Sequence, residues 1–266
     1  MTSFAPVRAV QRGLAVLRVI SESGPLSIRE IVERCGMAQP TVVRMLETLI
    51  HEGFVYRQNG TAVYKVTGRT MTLSAGFDSK SRLLEVAMPI IDRLHVQIGW
   101  PSNLAMFDRD AMVIIYSNRA ALGLSIPGRL GARLPLLATG VGLVTLASLS
   151  EGDREDALRH AAKAGDRWSN EARLLAGLPE KLGKISLDGH AFADEGYLDT
   201  IYQSLIWAVA VPIVTGDGQA VAAISSLVLR NAGARQKLLA SILPKLRAAA
   251  SDIGRAIDED RASGSQ

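Results

Sequence analysis

The chain has 266 residues, 48% of them hydrophobic and 21% charged, which is enough for one large core or two modest ones. The formal net charge is +4, and the first 70 residues carry all of this excess, with nine Lys and Arg against five Asp and Glu, a distribution that suits phosphate neutralisation. A single cysteine excludes an internal disulfide, and the lack of a signal-peptide pattern or a membrane-length apolar run predicts a cytoplasmic protein without a membrane partner.

The first predicted element is an amphipathic helix over residues 7–23, ended by Gly24-Pro25. Apolar residues at helical spacing predict its buried side: Val10, Leu14, Val16, Leu17 and Ile20. Arg12 lies largely off that side, as two other arginines do. These arginines are therefore candidates for phosphate contacts.

The stretch from Ser27 to Gly53 predicts two short helices joined by a tight turn. The apolar stripe of the first helix consists of Ile28, Ile31, Val32 and Cys35. Ser27 precedes this helix and Glu30 follows three residues later, which is the capping-box pattern. Gly36 is predicted to end the helix, because a left-handed residue is favoured there.

The second helix of this pair is predicted to begin at Pro40, a favoured first helical residue. Its buried stripe consists of Val42, Met45, Leu46 and Leu49. In a helix-turn-helix, the residues off this stripe approach base edges in the major groove, and here they are Gln39, Pro40, Thr41, Val43 and Arg44. The alternative is a plain helical hairpin, or an Arg44 side chain that contacts a phosphate or pairs with Glu47 or Thr48.

Two short β-type runs, at 54–57 and 62–66, flank Asn59-Gly60, a strong hairpin-turn signal. A helix-turn-helix followed directly by such a hairpin predicts a winged helix that binds double-stranded DNA. Arg57 and Lys65 of the hairpin, together with Arg12, are predicted to contact phosphates or the minor groove.

The sequence predicts a DNA-binding domain over 1–66, a linker over 67–82 and a second domain over 83–260. The second domain is predicted to open with a helix to residue 98, in which Pro89 implies a kink or a late start. Further helices are predicted at 139–149, 153–164, 171–187 and 234–259, and strands at 103–107, 112–117, 122–126, 206–214 and 220–229. This mixed order with strand hairpins predicts an α+β fold on an antiparallel sheet. The tail from Asp258 is predicted to be disordered.

Catalytic motifs are weak in this sequence. The four histidines are scattered, no pair has metal-ligand spacing, and no G-x-S-x-G motif occurs. Residues 216–218, Gly-Asp-Gly, resemble a phosphate loop, but no Walker lysine follows them. We therefore expect no enzymatic activity, no metal and no cofactor.

Several segments together resemble the IclR-type bacterial transcriptional regulators. The matching segments are VRAVQRGLAVLRVI at the start, TVVRMLETL at 41–49, the E-G-F wing entry, LPLLATGVGLVTLA at 134–147, and AVPI at 210–213 with the GDGQAVAAIS that follows. The resemblance covers nearly the whole chain. It implies a winged helix, a linker helix and a GAF-like effector domain, in dimers or tetramers that bind palindromic promoter sites and respond to small organic acids. The alternative is a GAF-like enzyme or sensor whose helix-turn-helix is only an interaction module.

The chain departs from the family pattern around the expected effector site. Leu137 stands where a histidine is frequent, Leu205 where a glycine is usual, and Ile201-Tyr202 where an acidic residue is common. The Ser-x-Ser ending of the last strand is kept only as Ser225, with Leu227 in the second place. The resemblance therefore implies the scaffold, but it leaves the identity of the effector open.

The effector cavity is predicted between the segments 129–140, 205–210 and 221–227. The predicted contacts are Arg129, Thr139, Gly140, Tyr202, Trp207 and Ser225. The start of the helix at Thr139 offers free N–H groups to a carboxylate, and Arg129 and Arg133 are candidates to pair with one. The aromatic residues favour an aromatic or hydroxylated acid. The alternatives are that Trp207 is plain core and that the arginines are surface charge.

Overall fold

The computed structural model describes residues 4–58, 60–74, 81–118 and 130–263. The chain divides into two compact units, 1–78 and 79–266, which are described separately below. Within the described ranges, no helix has both the length and the apolar character that a membrane crossing requires.

The first unit is a winged helix. Its helices are α1 (Arg8–Ser23), α2 (Ile28–Cys35) and α3 (Gln39–His51). Its strands are β1 (Leu26–Ser27), β2 (Val55–Arg57) and β3 (Val63–Val66), which form an antiparallel sheet with β3 in the middle. The predicted hairpin and both predicted helices of the helix-turn-helix are confirmed.

Local sequence signals set the ends of α2. The Glu30 N–H donates to the Ser27 hydroxyl, and the Glu30 carboxylate accepts from the Ser27 N–H at 2.8 Å, so the predicted capping box is present. The hydrogen bonds that the Glu30 carboxylate accepts, first from the Ser27 N–H and then from the Ser27 hydroxyl, lower the pKa of Glu30. Gly36 ends the helix in the left-handed region with φ 63°.

The core of the first unit lies between α1, α2, α3 and β3. On α1 it takes Val16, Leu17 and Ile20, but not the earlier apolar residues of the same stripe. The prediction that Val10 and Leu14 are buried is wrong, because they are 58% and 59% exposed. Helical periodicity shows which side of a helix is apolar, but it does not show how far along the helix its partners reach.

The second unit is built on an antiparallel sheet of order β6-β5-β4-β9-β8-β7. Its strands are β4 (Ser102–Asp108), β5 (Ala111–Ser117), β6 (Arg133–Pro135), β7 (Ala191–Phe192), β8 (Ile206–Val214) and β9 (Ala220–Leu229). The α+β prediction with an antiparallel sheet is confirmed. The strand predicted at 122–126 lies outside the described residues.

Helices cover both faces of this sheet. They are α4 (Ser81–Ile98), α5 (Gly140–Ser148), α6 (Glu151–Ala164), α7 (Ala172–Leu175), α8 (Leu178–Asp188), α9 (Glu195–Tyr202) and α10 (Arg235–Ser263). The start of α5 packs on the face that carries Ala210, whereas the start of α10 packs on the face that carries Trp207. Helix α4 packs against α10.

Three predicted boundaries are corrected. The helix predicted at 171–187 is interrupted at Gly177, which has φ 65° and is followed by Pro179 in the first turn of α8. Helix α4 continues through Pro89 from Ser81, so the late start is wrong. The tail from Asp258 is helical to Ser263 rather than disordered.

Polar contacts explain why the tail is ordered. The Asp258 carboxylate accepts from the N–H of Gly216 at 2.7 Å, in the turn between β8 and β9. The Asp260 carboxylate accepts from the Arg82 guanidinium at 2.8 Å on α4. These contacts join residues that are far apart in sequence, so they are not visible in the composition of the tail.

Candidate nucleic-acid interface and ligand cavity

The start of α3 presents the residues that the sequence predicts for base contacts. Gln39, Pro40 and Arg44 are exposed, and Thr41 and Val43 are half-buried. The Thr48 hydroxyl donates to the Arg44 carbonyl at 2.9 Å rather than pairing with its guanidinium. No ion pair to Arg44 occurs among the described residues, so its guanidinium is available to a ligand.

The wing places its two cations on opposite faces. Directly opposed residues of an antiparallel pair project to the same side. Arg57 is paired with Tyr64, which is buried, whereas Lys65 is paired with Tyr56 on the other face. Arg57 is exposed and Lys65 is half-buried. Arg12 is exposed on α1.

A cavity lies in the second unit between the sheet, the start of α5 and helix α9. Its empty space is at most about 400 Å³, including the part that is open to solvent. It is lined by Asn103, Leu134, Thr139, Gly140, Val141, Ala193, Tyr197, Tyr202, Ile206, Ala208, Val209, Ala210, Ser225 and Leu227. Four of the predicted effector residues are therefore brought together here, namely Thr139, Gly140, Tyr202 and Ser225.

The start of α5 is shaped by the Thr139 side chain. Its hydroxyl donates to the Pro135 carbonyl at 2.8 Å and accepts from the Gly142 N–H at 3.2 Å. The Leu143 N–H donates to the Thr139 carbonyl. Thr139 is thus an N-cap whose hydroxyl is occupied. The N–H groups of Gly140 and Val141 have no acceptor within the described ranges, and such groups attract anions.

Gly140 lets the start of α5 approach the sheet. A methyl group at this position would lie 2.8 Å from the Ala191 carbonyl oxygen and 3.1 Å from Ala210 Cβ. The helix start therefore lies over β7 and β8. Only glycine allows this approach without displacing the backbone.

Trp207, a predicted effector contact, is not among the residues that line this cavity. Successive residues of a strand project to opposite faces, and Ile206, Ala208 and Ala210 of β8 face the cavity. Trp207 therefore projects to the other face, where the Arg235 guanidinium lies 5.5 Å from its ring centre. Tyr197 and Tyr202 of α9 supply the aromatic walls instead, with ring centres 6.3 Å apart.

Of the two arginines suggested as partners for an acid, the structure describes only Arg133. The Arg133 guanidinium pairs with Asp108 and Asp110, each at 2.5 Å, so it is already neutralised at the surface. Arg129 lies outside the described residues. Across the described ranges, no cluster of His, Cys, Asp and Glu has the arrangement of a metal site.

Asn103 is a cavity residue that the sequence reasoning missed. It lies on β4 directly opposite Ser225 of β9, and its side chain is only 3% exposed. Its Oδ1 has no hydrogen-bond partner in the described part of the chain. The available signal was a lone amide at the start of an otherwise apolar strand. Tyr197 was also missed, since nothing in the sequence shows that α9 closes the cavity.

Comparison with known proteins agrees with both units. Residues 9–59 match the IclR helix-turn-helix domain, and residues 78–255 match the bacterial transcriptional regulator IclR C-terminal domain. The transcriptional repressor IclR of Escherichia coli is 27% identical over 194 residues, which are 71% of this chain and 70% of that protein. The Pca regulon regulatory protein of Pseudomonas putida is 29% identical over 261 residues, which are 95% of this chain and 83% of that protein.

Solved structures show the same fold. An IclR homologue from Microbacterium hydrocarbonoxydans, crystallised in complex with 4-hydroxybenzoate, is 21% identical, with a TM-score of 0.67 over 94% of this chain and 99% of that one. The two family matches together cover most of the chain, in the order of the two structural units. The chain belongs to the IclR family of bacterial transcriptional regulators.

Proposed function

We propose that this chain binds promoter DNA sequence-specifically through α3 and the wing, and that a small organic acid bound in the cavity controls this binding. Both halves of the proposal rest on residues whose placement suits the role. The observation that carries the effector half is the cavity itself. It joins the unoccupied N–H groups at the start of α5 with the polar side chains of two strands.

For DNA, we assign base contacts to the start of α3. Arg44 is suited to a bidentate contact with guanine and Gln39 to one with adenine, and Val43 to a thymine methyl group. Pro40 and Thr41 lie on the same turn, where Pro40 is exposed and Thr41 is half-buried. Arg12, Arg57 and Lys65 are assigned to the backbone, where cations neutralise phosphates without reading sequence.

For the effector, the helix start suits a carboxylate because its free N–H groups carry partial positive charge. The cavity is narrow and partly open to solvent, which favours a metabolite with a single ring or a short chain over a larger one. Tyr197 and Tyr202 offer aromatic surface to a flat ring. The structurally similar IclR homologue from Microbacterium hydrocarbonoxydans is complexed with 4-hydroxybenzoate, which is in keeping with an aromatic acid.

We further propose that the chain acts as a homodimer or a homotetramer. One winged helix reads only a few base pairs, so two copies related by a two-fold axis are usually needed for a specific site. Light scattering at micromolar concentration tests this point. A monomeric mass would contradict it.

The effector proposal is tested by thermal shift with pairs of carboxylic acids and their matching primary amides. An acid in the cavity should raise the Tm, while its neutral amide should not, because the amide lacks the charge that the helix start attracts. If neutral amides raise the Tm as much as the acids do, or if only neutral metabolites raise it, the acid proposal is wrong.

A further inference from the structure

We propose that Asn103 recognises a hydroxyl group on the effector, at the end of the molecule opposite its carboxylate. This inference rests on the proposed function, because it assumes that the effector occupies the cavity and that its acid group lies at the start of α5. It adds a second polar group to the ligand and names the residue that reads it.

The first supporting observation concerns the burial and the hydrogen bonding of the Asn103 side chain. It is 3% exposed and lines the cavity, and its Oδ1 has no partner among the described residues. A buried amide oxygen without a hydrogen bond is costly, and native structures rarely keep one without a reason. Because Asn103 lines the cavity, a ligand that brings a donor to its Oδ1 would satisfy this acceptor.

The second support is a row of residues that crosses the sheet. Strand pairing places Ser117, Asn103, Ser225, Ala210 and Ala191 side by side on β5, β4, β9, β8 and β7. Directly opposed residues project to one face, so the row lies on the side of the sheet that carries the cavity. Its members Asn103, Ser225 and Ala210 line the cavity. Asn103 is thus two strands away from Ala210.

The third support is the distance along this row. The start of α5 lies over Ala191 and Ala210, as the close approach of Gly140 shows. Neighbouring strands are about 4.8 Å apart, so the row positions of Ala210 and Asn103 are separated by about 10 Å. After allowance for the length of the Asn103 side chain, the gap suits a ligand whose carboxylate and hydroxyl are separated by about one ring or a short chain.

The chemistry of the Asn103 amide oxygen favours a hydroxyl group on the ligand over a second carboxylate. Oδ1 of asparagine is an acceptor, so it requires an O–H or N–H donor on the ligand. The Ser225 hydroxyl beside it both donates and accepts, so it can complete the bonding of the same hydroxyl group. A second carboxylate would place its negative charge against the Asn103 amide oxygen.

The inference is tested by calorimetric titration of the full-length protein with three matched pairs of acids. The pairs are 4-hydroxybenzoate with benzoate, 4-hydroxyphenylacetate with phenylacetate, and 4-hydroxybutyrate with butyrate. In at least one pair, the hydroxylated acid should bind at least roughly tenfold more tightly than the plain acid. The reason is that a plain acid has no hydroxyl group to pair with the buried amide oxygen of Asn103. Asn103→Leu, which keeps a similar volume, should reduce this preference to within about twofold, by the same argument.

Ser117→Ala is the matched control. The Ser117 hydroxyl is also buried without a partner in the described structure and is the next residue in the row, but it does not line the cavity. Its removal should leave the preference unchanged. The comparison within wild-type protein requires no variant, so it stays decisive if Asn103→Leu does not fold.

The outcomes separate the two proposals. The Asn103 inference fails if hydroxylated and plain acids bind equally well to the wild type, or if Asn103→Leu keeps the preference for the hydroxylated acid. In either case, the proposal that the cavity binds an acid is unaffected. If 4-hydroxybenzamide binds as well as 4-hydroxybenzoate and this binding depends on Asn103, the acid proposal fails and the hydroxyl contact stands. If none of the six acids binds, the hydroxy-acid class is rejected, and the inference with it.

Discussion

Gly140 at the start of α5 packs so closely on Ala191 of β7 that a methyl group there would lie 2.8 Å from the Ala191 carbonyl oxygen. This contact joins the proposed anion-binding end of the cavity to the edge of the sheet. It sets the position of the helix start relative to the row of residues that contains Asn103.

Gly140→Ala is therefore expected to lower the free energy of unfolding by about 1–3 kcal/mol, because either the helix or β7 has to move. It should also weaken effector binding, since the N–H groups of the first turn move with the helix. Urea unfolding and ligand titration measure the two effects.

Gly183→Ala on α8 is the control for Gly140→Ala. Gly183 has nothing within 4 Å of an added methyl group. Alanine there should leave stability unchanged or raise it by up to about 1 kcal/mol, because it favours the helix. Equal effects of the two substitutions would show that close packing at Gly140 does not hold α5 in place.

Arg44→Ala is expected to lower operator affinity by about 1–3 kcal/mol if Arg44 contacts a base, while the fold is unchanged because the side chain is exposed. Arg29→Ala removes the same charge from α2, where Arg29 pairs with Glu33 on an exposed surface, and should have little effect. Fluorescence anisotropy with DNA from upstream of the gene for this protein measures the operator affinity of both variants. Unchanged affinity in a folded Arg44→Ala protein would remove Arg44 from the interface.

The wing variants Arg57→Gln and Lys65→Gln test backbone contacts. Each should weaken binding to all DNA sequences alike and reduce the slope of log affinity against log salt by roughly one unit. The two residues lie on opposite faces of the hairpin, so their effects should be measured separately. A loss seen with some operators and not with others would mean that the substituted residue reads bases.

Asp194 links stability to pH near the cavity. Its carboxylate accepts from the Arg173 guanidinium at 2.7 and 2.9 Å and from the Tyr197 N–H at 3.1 Å, and it caps α9. The hydrogen bond from Arg173 is the main reason that the pKa of Asp194 is lowered. A lowered pKa stabilises the fold above the ordinary Asp pKa of about 4, and this stabilisation is lost as pH falls through the folded-state pKa.

Asp194→Asn should therefore lower the free energy of unfolding by about 1 kcal/mol at neutral pH, and the difference from wild type should shrink below about pH 4. Asp156→Asn is the control, because Asp156 pairs with Arg159 on an exposed face of α6 and should contribute only a few tenths of a kcal/mol. Chemical unfolding across pH measures both variants. A difference at Asp194 that stays constant down to pH 3 would contradict the ion-pair explanation.

The sequence predicted those features that depend on neighbouring residues. Ser27, Glu30 and Gly36 set the ends of α2 by local hydrogen bonds and backbone conformation, so both ends of this helix could be predicted from the sequence. The helix start at Thr139 could be predicted from neighbouring residues in the same way. The family resemblance implied that this segment contacts the effector.

The features that the sequence does not reveal depend on contacts between distant parts of the chain. Trp207 projects away from the cavity because successive residues of β8 alternate in direction, and its aromatic character alone does not reveal this orientation. Asn103 was missed because an unpaired amide can be recognised only when its neighbours across the sheet are known. The tail was wrongly predicted to be disordered because Asp258 and Asp260 bond to residues far away in sequence.

We propose that an acid in the cavity and DNA on the first unit are energetically coupled. This coupling is measured by a pair of titrations, in which operator affinity is determined with and without a saturating acid, and acid affinity with and without operator. The acid should change operator affinity by roughly 5- to 150-fold, and the operator should change acid affinity by the same factor. An acid that binds in the cavity and leaves operator affinity unchanged would show that the cavity does not control DNA binding.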